Sequence, residues 1–201
     1  MQSPFKPIPG SGPPVRGLFV DRWGTLLEQP DGVVKTFDDV QFVPGAIDAL
    51  FHASQQRWNI YLIGNEDAVA FGQLELERWK AIETGILEQL KAHGVPVTRS
   101  YACTTNPEGK PPHDQDSVFL LPNTGLLYHA AQTDGVHLRD SWVIGDSTLE
   151  LVAGWRAGTH LAGVRTGIGL ADGPLQVEPD LMQDDLPAVL NEISSRRGAR
   201  V

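Results

Sequence analysis

Two aspartates close short apolar runs. Gly17-Leu18-Phe19-Val20 leads into Asp21, and Ser141-Trp142-Val143-Ile144-Gly145 leads into Asp146. A carboxylate at the end of a buried strand has three chemical uses: it attacks an electrophile, holds a hard cation, or takes and returns a proton. It also has a structural use, because aspartate caps the turn or helix that follows. The two positions by themselves leave these uses open.

The surrounding pattern supplies the scaffold. Trp58 to Ile63, Val97 to Cys103 and His160 to Val164 read as further strands, the first ended by Gly64. Between them apolar residues recur at helical spacing. Ile47, Leu50 and Phe51 follow Val43-Pro44-Gly45 on one face. Leu74, Trp79, Ile82, Ile86 and Leu90 predict one long helix from Phe71 to His93, stopped by Gly94 and Pro96. Helices are also expected over Asn123–Thr133, Thr148–Ala157 and Asp184–Ser194, with Thr104–Pro122 a loop. Strands alternating with helices imply an α/β fold, a parallel sheet with helices on both faces. Ligands of such sheets bind beyond the carboxyl ends of the strands, where Asp21 and Asp146 are expected to meet. Trp58, Trp79, Trp142 and Trp155 lie in apolar-periodic or strand contexts and are expected in the core.

Composition narrows the function classes. The 201 residues suggest one domain. A formal net charge of −9 argues against a general nucleic-acid binder, which needs basic patches, and against an anionic membrane surface as partner. One cysteine, Cys103, forbids an intrachain disulfide. No apolar run approaches the ~18 residues of a spanning helix. The start, MQSPFKPIPGSGPP, lacks the apolar segment of a signal peptide, so a cytoplasmic location is expected. Residues 1–16 hold five prolines and read as an extended arm, 17–195 as the domain and 196–201 as a tail.

The local sequences carry a resemblance. Leu18-Phe19-Val20-Asp21-Arg22-Trp23-Gly24-Thr25-Leu26 resembles the first motif of the haloacid dehalogenase (HAD) superfamily, an apolar strand followed by Asp-x-Asp-Gly-Thr. Val143-Ile144-Gly145-Asp146-Ser147-Thr148-Leu149-Glu150 resembles its fourth motif. Phe42 to Leu50, Asn106-Pro107-Glu108-Gly109, Leu121 to Leu127 and Val164 to Gly167 are similar to segments of the heptose bisphosphate and histidinol-phosphate phosphatases. The resemblance implies a three-layer Rossmann-like HAD fold without a large cap domain. It implies Asp21 as a nucleophile that forms an aspartyl-phosphate. It implies Mg²⁺ held by Asp21, the main-chain oxygen of Trp23 and Asp146, with Glu150 beside them. Gly24, Asn65 and Glu66 fall in the phosphate pocket, and a small phosphorylated molecule is the implied ligand.

Against that family pattern this sequence differs. Trp23 aligns with the acid-base Asp, Gly64 with a Thr or Ser, and Leu121 with a Lys. An indole N–H has no acid-base role near pH 7, and losing a general acid-base group costs about 10²–10⁴ in rate. Glu66 and Asp67 bring the aligned pocket to five carboxylates, which favours a cation over a phosphate. Lys110, in the loop before Leu121, is the candidate replacement cation. Cys103 and His113 fall short of a four-ligand zinc site, so no zinc is expected. The sequence therefore favours a HAD-fold protein impaired as a phosphatase and acting by binding, as a regulatory or scaffolding partner of another protein. A working Mg²⁺-dependent phosphomonoester hydrolase on a sugar phosphate, using Glu66 or Asp67 for proton transfer, is the alternative. A cation-binding module is the third. The sequence does not indicate an oligomeric state.

Overall fold

A computed structural model of the chain describes residues 14–173 and 175–198. Among these, six strands form one parallel sheet: β1 (Arg16–Asp21), β2 (Trp58–Asn65), β3 (Val97–Cys103), β4 (Trp142–Gly145), β5 (His160–Val164) and β6 (Leu181–Gln183). Their spatial order is β3-β2-β1-β4-β5-β6. The connecting helices are α1 (Ala46–Gln55), α2 (Asp67–Ala70), α3 (Leu76–Ala92), α4 (Gly125–Asp134), α5 (Thr148–Ala157) and α6 (Leu186–Gly198).

Alternation along each strand sends successive side chains to opposite faces, and both faces here are covered. Leu18, Val20, Ile60, Leu62 and Ile144 pack with α1, α3 and α6. Phe19, Tyr61, Ile63 and Val143 pack with α4 and α5. The central strands therefore read as continuous apolar runs, as buried parallel strands do. Neither long connection, 22–45 or 104–124, carries a domain of its own, so no cap sits over the sheet among the described residues.

Register places the two aspartates. Val20 lies opposite Ile144, so Asp21 is level with Gly145 and Asp146 stands one step beyond. The chain leaves β1 towards β2 on one side, and β4 lies on the other. Asp21 and Asp146 therefore flank the point where strand order reverses, which is where such sheets open a crevice.

Several expectations need correction. The helix expected over Phe71–His93 is instead a turn over 71–75 followed by α3, Leu76–Ala92, with the short α2 ending just before it. Gly72 adopts φ 68° and Glu75 is extended, which breaks the helical path. Strand β6 was not expected: three residues between acidic turns give no alternation to read. Trp155 is not in the core; it is 68 % exposed on the outer face of α5. The arm ends sooner than Arg16, since Val15 already bridges to Val136 and Arg16 opens β1. Helix α6 runs to Gly198 rather than stopping at Ser194. The rest of the arm, residues 1–13, and the tail's 199–201 lie outside the described residues.

Candidate active site

The crevice at the ends of β1, β2 and β4 has a volume of about 570 Å³. Asp21, Asn65, Glu66, Asp67, Asp146 and Glu150 all line it, so the structure brings together the carboxylates singled out in the sequence. Asp21, Glu66, Asp146 and Glu150 are buried, while Asp67 is exposed at the rim.

Burial sets the electrostatics. It pushes the Asp21 carboxyl well above its usual range, and the nearby charges of Glu150 and Asp146 push the same way. The Arg22 guanidinium pulls it partly back. Burial likewise raises Asp146 to about 6 and Glu150 to about 7. Glu150 Oε2 is buried without a hydrogen-bond partner. Carboxylates this dry and this close favour a proton or a cation between them.

The loop after β5 braces Asp146. The Ile168 N–H donates to Asp146 Oδ2 at 2.8 Å, and the Leu170 N–H donates to the Asp146 carbonyl at 2.6 Å. Gly24 and Gly167 face this carboxylate from two sides. Each has positive φ, and a Cβ on either would collide with Asp146. That close approach explains both glycines better than turn chemistry alone.

Asp172 belongs to the same brace and was missed in the sequence. It accepts from the Thr148 N–H at 3.0 Å and the Thr148 hydroxyl at 2.8 Å, and from the Ser147 hydroxyl at 3.2 Å. An anion there suits the N-terminus of α5 and ties loop 165–173 to the Asp146 turn. No spacing rule links positions 24 residues apart, so only the fold reveals it.

The aligned motif positions resolve differently from one another. The Trp23 indole N–H donates to Glu66 Oε2 at 3.2 Å. Gly64 leaves little room for a side chain, since a Cβ there would stand 3.1 Å from Asp21 Oδ1 and 3.3 Å from Arg22 Nη1. Leu121 does not enter the cleft; its side chain is buried in the second core. Asn65 lines the cleft, but its carboxamide is committed to Leu121. Oδ1 accepts the Leu121 N–H at 2.9 Å and Nδ2 donates to the Leu121 carbonyl at 3.2 Å. That pairing fixes the loop against β2. Lys110 lays its stem on Gly72, outside the residues that line the cleft.

Arg22 is the second residue that sequence reading undervalued. It is fully buried beside Asp21. Its Nε lies 3.3 Å from Glu66 Oε1, its Nη2 3.9 Å from Glu83 Oε1, and its Nη1 donates to the Tyr101 carbonyl at 3.2 Å. Its guanidinium also stands 5.4 Å from the Trp79 ring centroid. Glu66 therefore serves two neighbours at once, Arg22 and Trp23. Burial raises its carboxyl to about 7 despite the lowering by Arg22.

Comparison with known proteins matches this geometry. The HAD-hydrolase-like family matches residues 121–189. The chain is 27 % identical over 177 residues to the D-glycero-beta-D-manno-heptose-1,7-bisphosphate 7-phosphatase of Pseudomonas putida, covering 88 % of this chain and 98 % of that protein. It superposes with a TM-score of 0.78 and 26 % identity on the crystal structure of D,D-heptose 1,7-bisphosphate phosphatase from B. bronchiseptica complexed with magnesium and phosphate, covering 90 % and 99 % of the two chains. In sequence and in fold the chain resembles the haloacid dehalogenase superfamily. A further relative is the histidine biosynthesis bifunctional protein HisB of Legionella pneumophila (strain Lens), 27 % identical over 64 % of this chain and 35 % of that one.

These relatives overturn the favoured sequence reading. A binder without turnover was expected from three aligned positions, yet the relatives matched over most of the chain bear the names of phosphatases. The inference failed because it judged isolated side chains against a pattern and gave no weight to the whole length that is shared. No helix among the described residues is long and apolar enough to cross a membrane.

Proposed function

We propose that the chain is a Mg²⁺-dependent phosphomonoester hydrolase acting on a small phosphorylated sugar or a closely similar molecule. The observation that carries this is the placement of Asp21 and Asp146 at the strand-order reversal of a fold shared with a phosphatase that binds magnesium and phosphate.

The donor set fits the ion. Mg²⁺ keeps several waters and takes one or two carboxylates rather than a full protein cage. Among the described residues no three His, Cys, Asp or Glu side chains form such a cage. Asp21 and Asp146, with the main-chain oxygen of Trp23, match that sparse habit. Glu150, with its unpartnered Oε2, adds negative charge behind them. When bound, the ion would neutralise charge between carboxylate and phosphate.

The chain's own residues do the rest. Asp21 presents its carboxylate to phosphorus from the end of β1. Gly24 lets the backbone pass close to Asp146. Glu66 and Asp67 are the carboxyls of this cleft outside the metal set, so the leaving oxygen takes its proton from one of them. The test is phosphate release from sugar monophosphates and bisphosphates with Mg²⁺ and with excess EDTA. Release that EDTA abolishes is expected. No release from any phosphomonoester with Mg²⁺ would reject the reading.

The raised carboxyls give a pH signature. Cation binding needs Asp146 and Glu150 ionised, and burial holds them protonated up to about 6 and about 7. Mg²⁺ is therefore expected to raise the melting temperature little at about pH 5 and increasingly towards about pH 8. Without metal the sign reverses. The folded state keeps protons that the unfolded chain releases, so these groups' stabilisation is full below their unfolded values and is lost as pH rises through 6 to 7. Thermal melts across pH, with and without Mg²⁺, measure both trends.

A further inference from the structure

The cleft has a composition that bears on which phosphate ester it accepts. Five carboxylates line it: Asp21, Glu66, Asp67, Asp146 and Glu150. Among the described residues that line it, none is Lys, Arg or His. Arg22 lies behind this wall, fully buried and engaged with Glu66. The rest of the lining is uncharged: Val33, Leu74, Ile82 and Leu149 supply apolar surface, and Gln29, Asn65, Gln73 and Ser147 are its polar residues. A second groove of about 400 Å³ shares Trp23, Pro30 and Val33 with the first. It extends the rim with Glu28, Asp31 and Asp39, again without a basic lining residue.

A substrate with two phosphates needs two anion sites. The first would be served by the metal ion that Asp21 and Asp146 would hold. The second must lie along the cleft wall or at its rim, where a phosphate dianion would meet apolar side chains, neutral amides such as Gln29 and Gln73, or the carboxylates of Asp67 and Asp31, and no cationic side chain. Phosphate recognition relies on Arg, Lys or converging N–H groups. A desolvated charge with no partner is a strong source of discrimination against a ligand. An uncharged carbon skeleton has no such difficulty, because its C–H face can lie on Val33, Leu74 and Ile82.

We propose that this cleft selects monophosphates and rejects bisphosphates, its substrate being a small sugar-like phosphomonoester with an uncharged remainder. The proposal rests on the phosphatase reading above and departs from the bisphosphates named for the curated relatives.

The experiment compares matched pairs, fructose 6-phosphate with fructose 1,6-bisphosphate and glucose 1-phosphate with glucose 1,6-bisphosphate, by kcat/KM in Mg²⁺. Each monophosphate is expected to be favoured by about tenfold or more. Glu28→Lys and Asp31→Lys place a cation at the rim, away from the reacting groups, and are expected to narrow the gap, chiefly by lowering KM for the bisphosphate. Equal or reversed preference, or a gap that neither variant moves, overturns the proposal. If no substrate turns over, the phosphatase reading falls. The pairs are then titrated by calorimetry into the wild-type protein with Mg²⁺. Tighter binding of the monophosphates upholds the selectivity; equal, reversed or absent binding overturns it.

Discussion

An Asp21→Asn variant is expected to lose at least about a thousandfold in kcat while keeping its fold. Asparagine has nearly the same shape, so the packing at the end of β1 survives. What disappears is the nucleophile and one negative charge. In the metal-free protein that charge is unfavourable, since burial and the neighbouring Glu150 and Asp146 all oppose ionisation of Asp21. The variant is therefore expected to melt no lower than wild type without Mg²⁺ and to gain less from added Mg²⁺. Phosphate-release kinetics and paired thermal melts check both halves. Wild-type turnover in Asp21→Asn would remove Asp21 from the chemistry.

Arg22→Met is expected to be the most damaging single change to stability. Arg22 is fully buried, and its charge is balanced by Glu66 at 3.3 Å and, less closely, Glu83 at 3.9 Å. Removing one partner of a buried pair strands the other, at a cost of about 3–5 kcal/mol. For a chain of this size that corresponds to a fall of roughly 6–20 °C in melting temperature. The double variant Arg22→Met/Glu66→Gln removes the stranded charge and is expected to recover much of the loss. Urea denaturation of wild type, both single variants and the double variant gives the coupling directly. A double variant no more stable than Arg22→Met alone would show that the guanidinium matters through packing on Trp79 instead.

The difference between Asp21 and Arg22 shows what the sequence could and could not disclose. Asp21 ends a run of buried apolar residues, and such a run identifies its strand, its strand end and hence its crevice. Arg22 is the next residue, and nothing in its neighbours says that its long side chain turns inward to Glu66 and Tyr101. Pairing across 44 positions leaves no local pattern. The same holds for Asp172 beneath α5 and for Asn65 clasping the backbone of Leu121. The strands and most helices were legible because burial imposes periodicity. The break at Gly72 was not, because the apolar spacing of α3 continues in phase through the preceding turn. Trp155 misled for a related reason. Its helix is patterned, but the residue falls on the face that no layer covers. Leu121 misled most. Its apolar side chain suggested a lost charge in the pocket, whereas it occupies the core on the other side of the loop.

Placing the first strand of the chain at the middle of the sheet has a consequence for biosynthesis. β1 emerges from the ribosome early and finds β2 about 40 residues later, but β4 is more than 120 residues away. Until residues 142–145 are made, one flank of the most buried strand has open hydrogen-bonding groups, the kind of edge that recruits other chains. The loop closure needed to cover it is long and therefore slow. Nascent or prematurely terminated chains ending before that point are thus the forms of this protein most exposed to self-association.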